Sequence, residues 1–442
     1  MLTIDKPAAA YDELYKGNVI LVKVSGEELA SDDVGQLVAD VQWLTQKGIR
    51  VVFIFGGGNQ ITQKYRDATG KERPMMEGVG VTDDEVLKKG VLPAYEDIRA
   101  KLAGLFPDAK ILDPDAMPCH LHPDTRCGLV GIPDDVTLPE DSPLTIIGFI
   151  GKTSDMSRHA PDTLETVGPL LNVNADDIAV AYVKKYHDLI NELIFITKIG
   201  GVLRTKTDSS MVPLLTDWRL KEKVLKGIDL EIDASGGMLK KLKAVLDVLE
   251  EVGKIAMTDA KGLRAEIEQW KGSGTLCIDT KQLRIGKIRE IEKAIFRAIY
   301  EEYVRLGKFR DRSNDPKAMQ ALEENHIMLR SKNSPLGGAS LIDQEGDWIE
   351  ISTVWAWPIG NGLGQICLDK TLEHIQEERG GKRSYALAQD ADARAAFRAN
   401  EGFRSLGVVS EAKKKHLAEL PPSVQKYDVP GRDPEVFLAV AV

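Results

Sequence analysis

Val51-Val52-Phe53-Ile54-Phe55-Gly56-Gly57-Gly58-Asn59-Gln60 decides how the first part of this chain folds. Far downstream, Trp355-Ala356-Trp357-Pro358-Ile359-Gly360-Asn361-Gly362-Leu363-Gly364 decides the rest. Each run places an apolar strand before glycines and a helix-forming stretch after them. That order aims backbone N–H groups and a helix N-terminus at an anion. Glycine permits the close approach and the unusual dihedrals such a turn needs. The two turns lie about three hundred residues apart in a chain of 442 residues, so two ligand-binding domains are expected.

Around the first turn, strand-like and helix-like segments alternate. Residues 18–24, 51–55, 144–150, 193–197 and 254–258 read as buried strands, and 33–46, 59–68, 176–185, 218–226 and 237–251 as helices. Alternation of this kind indicates an α/β domain with a mainly parallel sheet. The character changes near Gly272-Ser273-Gly274-Thr275. Beyond it come a charged stretch at 281–293 and a helix through Arg305. Strands at 326–330, 338–342 and 348–355 then follow one another through short polar turns, as in an antiparallel meander. The domains are therefore placed at 1–280 and 281–442.

Composition bounds the functional classes. With 43% hydrophobic residues the chain is an ordinary globular one, and a net charge of −10 speaks against general nucleic-acid binding. Met1 to Lys16 lacks a basic-then-apolar leader and no apolar run reaches membrane-spanning length, so a cytoplasmic protein without membrane attachment is expected. Cys119, Cys127, Cys277 and Cys367 have no disulfide-type spacing. Cys119-His120-Leu121-His122 with Cys127 gathers metal-capable groups, but its spacing fits no familiar zinc module, and its prolines and aspartates suit a turn or hairpin; no metal is expected.

In the first domain, Lys23 ends the opening strand, Asn172-Val173-Asn174-Ala175-Asp176 starts a helix, and Ala234-Ser235-Gly236-Gly237-Met238-Leu239-Lys240-Lys241 starts another. With Phe55-Gly56-Gly57-Gly58, this ordered set resembles the amino acid kinase family, most closely the acetylglutamate kinases, over about residues 10–280. The resemblance implies a three-layer fold. It implies that Lys23 and Lys241 neutralise a phosphoryl group, that Asp176 holds both, that Gly57 and Gly58 supply N–H donors, and that Asn172 contacts an amino-acid substrate. ATP with Mg is the implied cosubstrate if that site is active. One departure matters: Gly78-Val79-Gly80-Val81-Thr82 carries glycine where the kinases have an arginine that clamps a substrate carboxylate. Tyr15, Glu266 and Gly272 resemble the places where arginine-sensitive members bind free L-arginine.

The second turn lies in an antiparallel context and precedes a helix and then the strand 384–388. This order resembles the GNAT acetyltransferases, a smaller α+β fold whose loop binds the pyrophosphate of acetyl-CoA, here Ile359, Gly360, Asn361, Gly362, Leu363 and Gly364. A kinase-like domain followed by a GNAT domain is the arrangement of the N-acetylglutamate synthase family. That resemblance implies acetyl transfer to L-glutamate, a base at Glu350 eight residues before Pro358, and a substrate carboxylate on Arg312, with Arg330 a second choice. Tyr385 is the candidate proton donor. The family implies homo-oligomers, tetramers or hexamers, and arginine as effector. Two other readings stay open: a bifunctional synthase and kinase, and a non-catalytic arginine sensor.

Overall fold

A computed structural model describes residues 13–76, 79–205, 210–228, 232, 237–268, 274–356, 362–380, 382–429 and 432–440. The chain divides into two compact units, one of residues 15–267 and 274–280, the other of the described residues from 281 onward with 13–14 and 268. Gly272, Ile359, Gly360 and Asn361 lie outside the described residues.

The first unit is built on an eight-stranded sheet. Its order is Leu214–Thr216, Thr275–Ile278, Lys254–Thr258, Ile190–Ile196, Val19–Val24, Arg50–Phe55, Leu144–Ile147 and Lys110–Ile111. Every neighbouring pair is parallel except Lys254–Thr258 with Thr275–Ile278. All residues of Val19–Val24 and Ile190–Ile196 are buried, as expected of parallel strands covered on both faces. The helix Ala175–Tyr186 starts where Asn174 Oδ1 accepts from the Asp176 N–H at 2.8 Å, and it carries acids in its first turn and lysines in its last. A second sheet joins Cys119–Leu121, Val130–Pro133, Leu170–Val173 and Ile150–Lys152. The cysteine–histidine segment is thus a hairpin, with Cys119 and Cys127 buried and His120 beside Asp134.

The second unit is a seven-stranded sheet in the order Leu283–Lys287, His326–Ser331, Ser334–Gln344, Trp348–Ala356, Arg383–Ala388, Glu435–Ala439 and Phe403–Val408. Leu283–Lys287 falls in the stretch read from sequence only as charged. It is an edge strand whose Arg284 and Lys287 stay exposed, which hides its β pattern. The core packs Ile349, Ile351, Leu368, Phe397 and Phe437 together. The helix Leu363–Glu378 buries Leu363, Cys367, Leu368, Thr371 and Ile375, one helical face. The one parallel pair, Trp348–Ala356 with Arg383–Ala388, is registered only at Trp348–Arg383, Ile349–Ser384 and Glu350–Tyr385. Beyond Glu350 the ladder between these strands stops.

Candidate active site

Where that ladder stops, a cavity of about 580 Å³ opens, with Thr353 and Val354 of one strand and Leu387 and Ala388 of the other in its walls. Gly362 and Gly364 also line it. The helix Leu363–Glu378 begins there, with Gly362 at φ 91°, so a helix N-terminus borders the space. A bulge shapes the strand wall. Gly338 pairs with Trp355 and Ser340 with Ser352, so Thr353 and Val354 oppose Ala339 alone, and Thr353 takes φ 46°.

Buried hydrogen bonds hold that bulge. Trp355 Nε1 donates to His326 Nε2 at 3.1 Å, which leaves the ring proton on Nδ1 to be donated to Ser340 Oγ at 2.9 Å. Ser340 Oγ also accepts from Thr353 Oγ1 at 2.7 Å and donates to the Leu322 carbonyl at 3.0 Å. Burial pushes His326 down to about 3, so the imidazole is neutral.

Glu350 and Arg312 both line the cavity. Glu350 Oε2 accepts from Tyr385 Oη at 3.3 Å and from Gln344 Nε2 at 3.4 Å. Burial raises its carboxyl above the usual value, against the opposing charge of Arg312 and the Tyr385 hydrogen bond. The Arg312 N–H donates to Tyr300 Oη at 3.1 Å, and Tyr300 donates to the Arg310 carbonyl at 2.5 Å, which fixes the segment carrying the guanidinium.

Two sequence expectations fare differently. Tyr385 is 1% exposed and is not part of the cavity wall; its hydroxyl lies 2.8 Å from Ser423 Oγ. Since Tyr385 donates to Glu350, Ser423 is the donor to Tyr385, and the chain Ser423–Tyr385–Glu350 positions the carboxylate. Arg330 lies elsewhere. Its guanidinium is paired with Glu292 (Nε to Oε1, 2.6 Å, and Nη2 to Oε2) and donates to the carbonyls of Gly286, Met328 and Lys287. All five N–H groups are occupied, so nothing remains for a substrate. Sequence reasoning did not single out Tyr427, a phenol in the cavity wall on a loop without any motif.

The first unit has its own cavity, about 350 Å³, bordered by Lys23, Gly57, Gly58 and Asn172. Lys23 Nζ lies 2.7 Å from Asp176 Oδ1, and Lys241 Nζ lies 3.2 and 3.4 Å from the two carboxylate oxygens. Burial opposes the ionised Asp176, but the two ammonium groups prevail and hold its carboxyl far below the usual range. Burial lowers Lys241 to about 8 despite Asp176. Asn172 Nδ2 donates to Thr82 Oγ1 at 3.0 Å. Of the residues expected to bind arginine, Glu266 is buried and accepts from the Gly274 N–H at 3.2 Å. Tyr15 is buried, and Glu192 is paired with Lys254 at 2.9 Å.

No protein-family model matches the chain. It is similar to the acetylglutamate kinase of Methanococcoides burtonii, 27% identical over 306 residues that span 62% of this chain and 94% of that protein. It is 25% identical over 287 residues to the acetylglutamate kinase of Chlorobium chlorochromatii, with 62% and 94% covered. Two solved structures of N-acetylglutamate synthase from Neisseria gonorrhoeae span nearly everything. The complex with coenzyme A and L-arginine has a TM-score of 0.63 at 17% identity, covering 98% of this chain and 97% of that one. The complex with coenzyme A and N-acetyl-glutamate has a TM-score of 0.54 at 18% identity, covering 99% of each. Across both units, an amino acid kinase-like one followed by a GNAT-like one, the chain therefore has the fold of N-acetylglutamate synthase.

Proposed function

We propose that the second unit transfers the acetyl group of acetyl-CoA to the α-amino group of L-glutamate, and that the first unit binds L-arginine as a regulator. The observation that carries the reading is the presence of Glu350 and Arg312 in one cavity with a helix N-terminus. The run from Ile359 to Gly364 is the diphosphate cradle in this reading, and the described part of it, with Gly362 and Gly364 in the wall, fits an anion. Arg312 takes a substrate carboxylate. Glu350 removes a proton from the substrate ammonium. The amine then attacks the thioester carbonyl, a C–N bond forms, the C–S bond breaks, and the departing thiolate gains a proton. Of the two tyrosines in the wall, Tyr303 donates its hydroxyl to the Ala356 carbonyl, and Tyr427 is the phenol assigned to supply that proton and to regain one from the nitrogen as the amide forms. The raised affinity of Glu350 for protons brings it nearer to the basicity this task requires.

Glu266 is the carboxylate proposed for the guanidinium of arginine, with Gly272 beside it in sequence. Tyr15, being buried, serves that site by packing. A cytoplasmic location goes with this reading and with four free, buried cysteines. The test is release of CoA thiol from acetyl-CoA with L-glutamate, with and without L-arginine. Absence of thiol release refutes the reading and leaves the non-catalytic sensor. A second reading, an added phosphoryl-transfer activity with ATP and Mg, is favoured by the intact Lys23–Asp176–Lys241 cluster.

A further inference from the structure

The wall of the first unit's cavity contains a cation with no acid to answer it. Arg73 borders this cavity and is 8% exposed. Among the described residues no carboxylate pairs with it, and burial alone draws its guanidinium down to about 10. A buried charge in that condition is unfavourable unless an anion arrives. Its five donors can be counted. Nε donates to the Val81 carbonyl at 3.2 Å, and Nη2 donates to the Gly80 carbonyl at 3.0 Å and to Thr82 Oγ1 at 3.1 Å. The two protons of Nη1 have no acceptor among the described residues. Thr82 Oγ1 also accepts from Asn172, so one hydroxyl sets both Arg73 and Asn172 on the same wall.

The residue opposite explains how Arg73 comes to be there. A Cβ placed on Gly80 would lie 2.2 Å from Arg73 Cζ. The guanidinium therefore fills the volume that a side chain at position 80 would need, and any other residue there would have to displace it. Position 80 is where the sequence lacks an expected carboxylate clamp; the structure puts an arginine in that space from seven residues earlier, across the two-residue ladder Met75–Gly80 and Met76–Val79.

The geometry points to Arg73 as the carboxylate-binding residue of this cavity, which makes the first unit a working site for a small organic carboxylate next to Lys23. Glu27, also in the wall, is exposed and accepts from Asn59, so it does not neutralise Arg73. The inference does not depend on acetyl transfer in the second unit.

The test is calorimetric titration of the full chain with N-acetyl-L-glutamate, with its neutral diamide, and with inorganic phosphate. In Arg73→Ala, affinity for N-acetyl-L-glutamate at this site is expected to fall roughly 10- to 100-fold, the scale of one charge-assisted contact. The double variant Arg73→Ala/Gly80→Arg returns an arginine to the vacated space and is expected to recover most of the loss. Arg312→Ala, in the other cavity, is expected to keep the Arg73-dependent binding, which separates this site from the acetyl-transfer site. Unchanged binding in Arg73→Ala overturns the inference. So does an equal loss toward the neutral diamide, and so does a loss confined to phosphate.

Discussion

Replacing Glu350 by glutamine removes a base while changing little else. The amide has the same size, and its oxygen can still accept from Tyr385 at the position where Glu350 Oε2 now does. General-base assistance contributes about 10²- to 10⁴-fold, so kcat is expected to fall by that factor, or about 3–5 kcal/mol in barrier height. The pH profile is more diagnostic. Burial raises the Glu350 carboxyl above its ordinary 4.5, and only its ionised form accepts a proton. The wild-type kcat/KM is therefore expected to fall with decreasing pH through a midpoint above 4.5, and that limb should be missing from Glu350→Gln. Arg312 and Tyr385 both favour the ionised form, so Arg312→Ala and Tyr385→Phe should each move the limb to higher pH. The stability sign runs with this. A raised carboxyl contributes stability below its unfolded value and loses it as pH rises through the folded one, so Glu350→Gln should melt no lower than the wild type at pH 7. Thiol release followed with a chromogenic disulfide gives the rates. An acid limb of unchanged midpoint in Glu350→Gln, or wild-type turnover, would refute the assignment of the base.

His326→Ala removes the acceptor for Trp355 Nε1 and the donor to Ser340, and is expected to cost about 2–4 kcal/mol in urea unfolding. Because His326 is held near 3 against an ordinary 6.5, the unfolded chain takes the proton first; the stability of the second unit should be full above 6.5 and decline as pH falls toward 3, with a shallower decline in the variant. Gly338→Ala would set a Cβ 2.4 Å from His326 Nε2 and 2.5 Å from the Ile327 carbonyl, so a loss of about 1–3 kcal/mol is expected by thermal melting. Asp176→Asn leaves Lys23 and Lys241 buried without a counter-charge, and about 3–5 kcal/mol of the first unit's stability should disappear at neutral pH.

The buried strands around the first glycine turn are legible because parallel strands covered on two faces write themselves as largely apolar runs. Val19–Val24 and Arg50–Phe55 are of that kind, whereas Ile190–Ile196 reads as a strand only from Leu193 onward because Asn191 and Glu192 interrupt it. Leu283–Lys287 was not, because an edge strand shows its charges to water and so resembles a loop. The bulge at Thr353 had no signature either, since a β-branched residue at positive φ is the last choice of local propensity and is held there by tertiary hydrogen bonds.

The arginines show where a one-dimensional reading stops. Arg330 looked as available as Arg312 because both are cations near apolar strands; what separates them is Glu292, 38 residues earlier, which closes around Arg330 and leaves Arg312 to the cavity. At position 80 the same limit acts in the opposite direction. Glycine there reads as a missing side chain, yet the volume it vacates is filled by Arg73, whose charge then lies on the cavity wall without a partner acid. A motif compared position by position records which residue occupies a site in the chain. A ligand meets whichever side chain occupies that site in space, and here the two differ by the width of a hairpin.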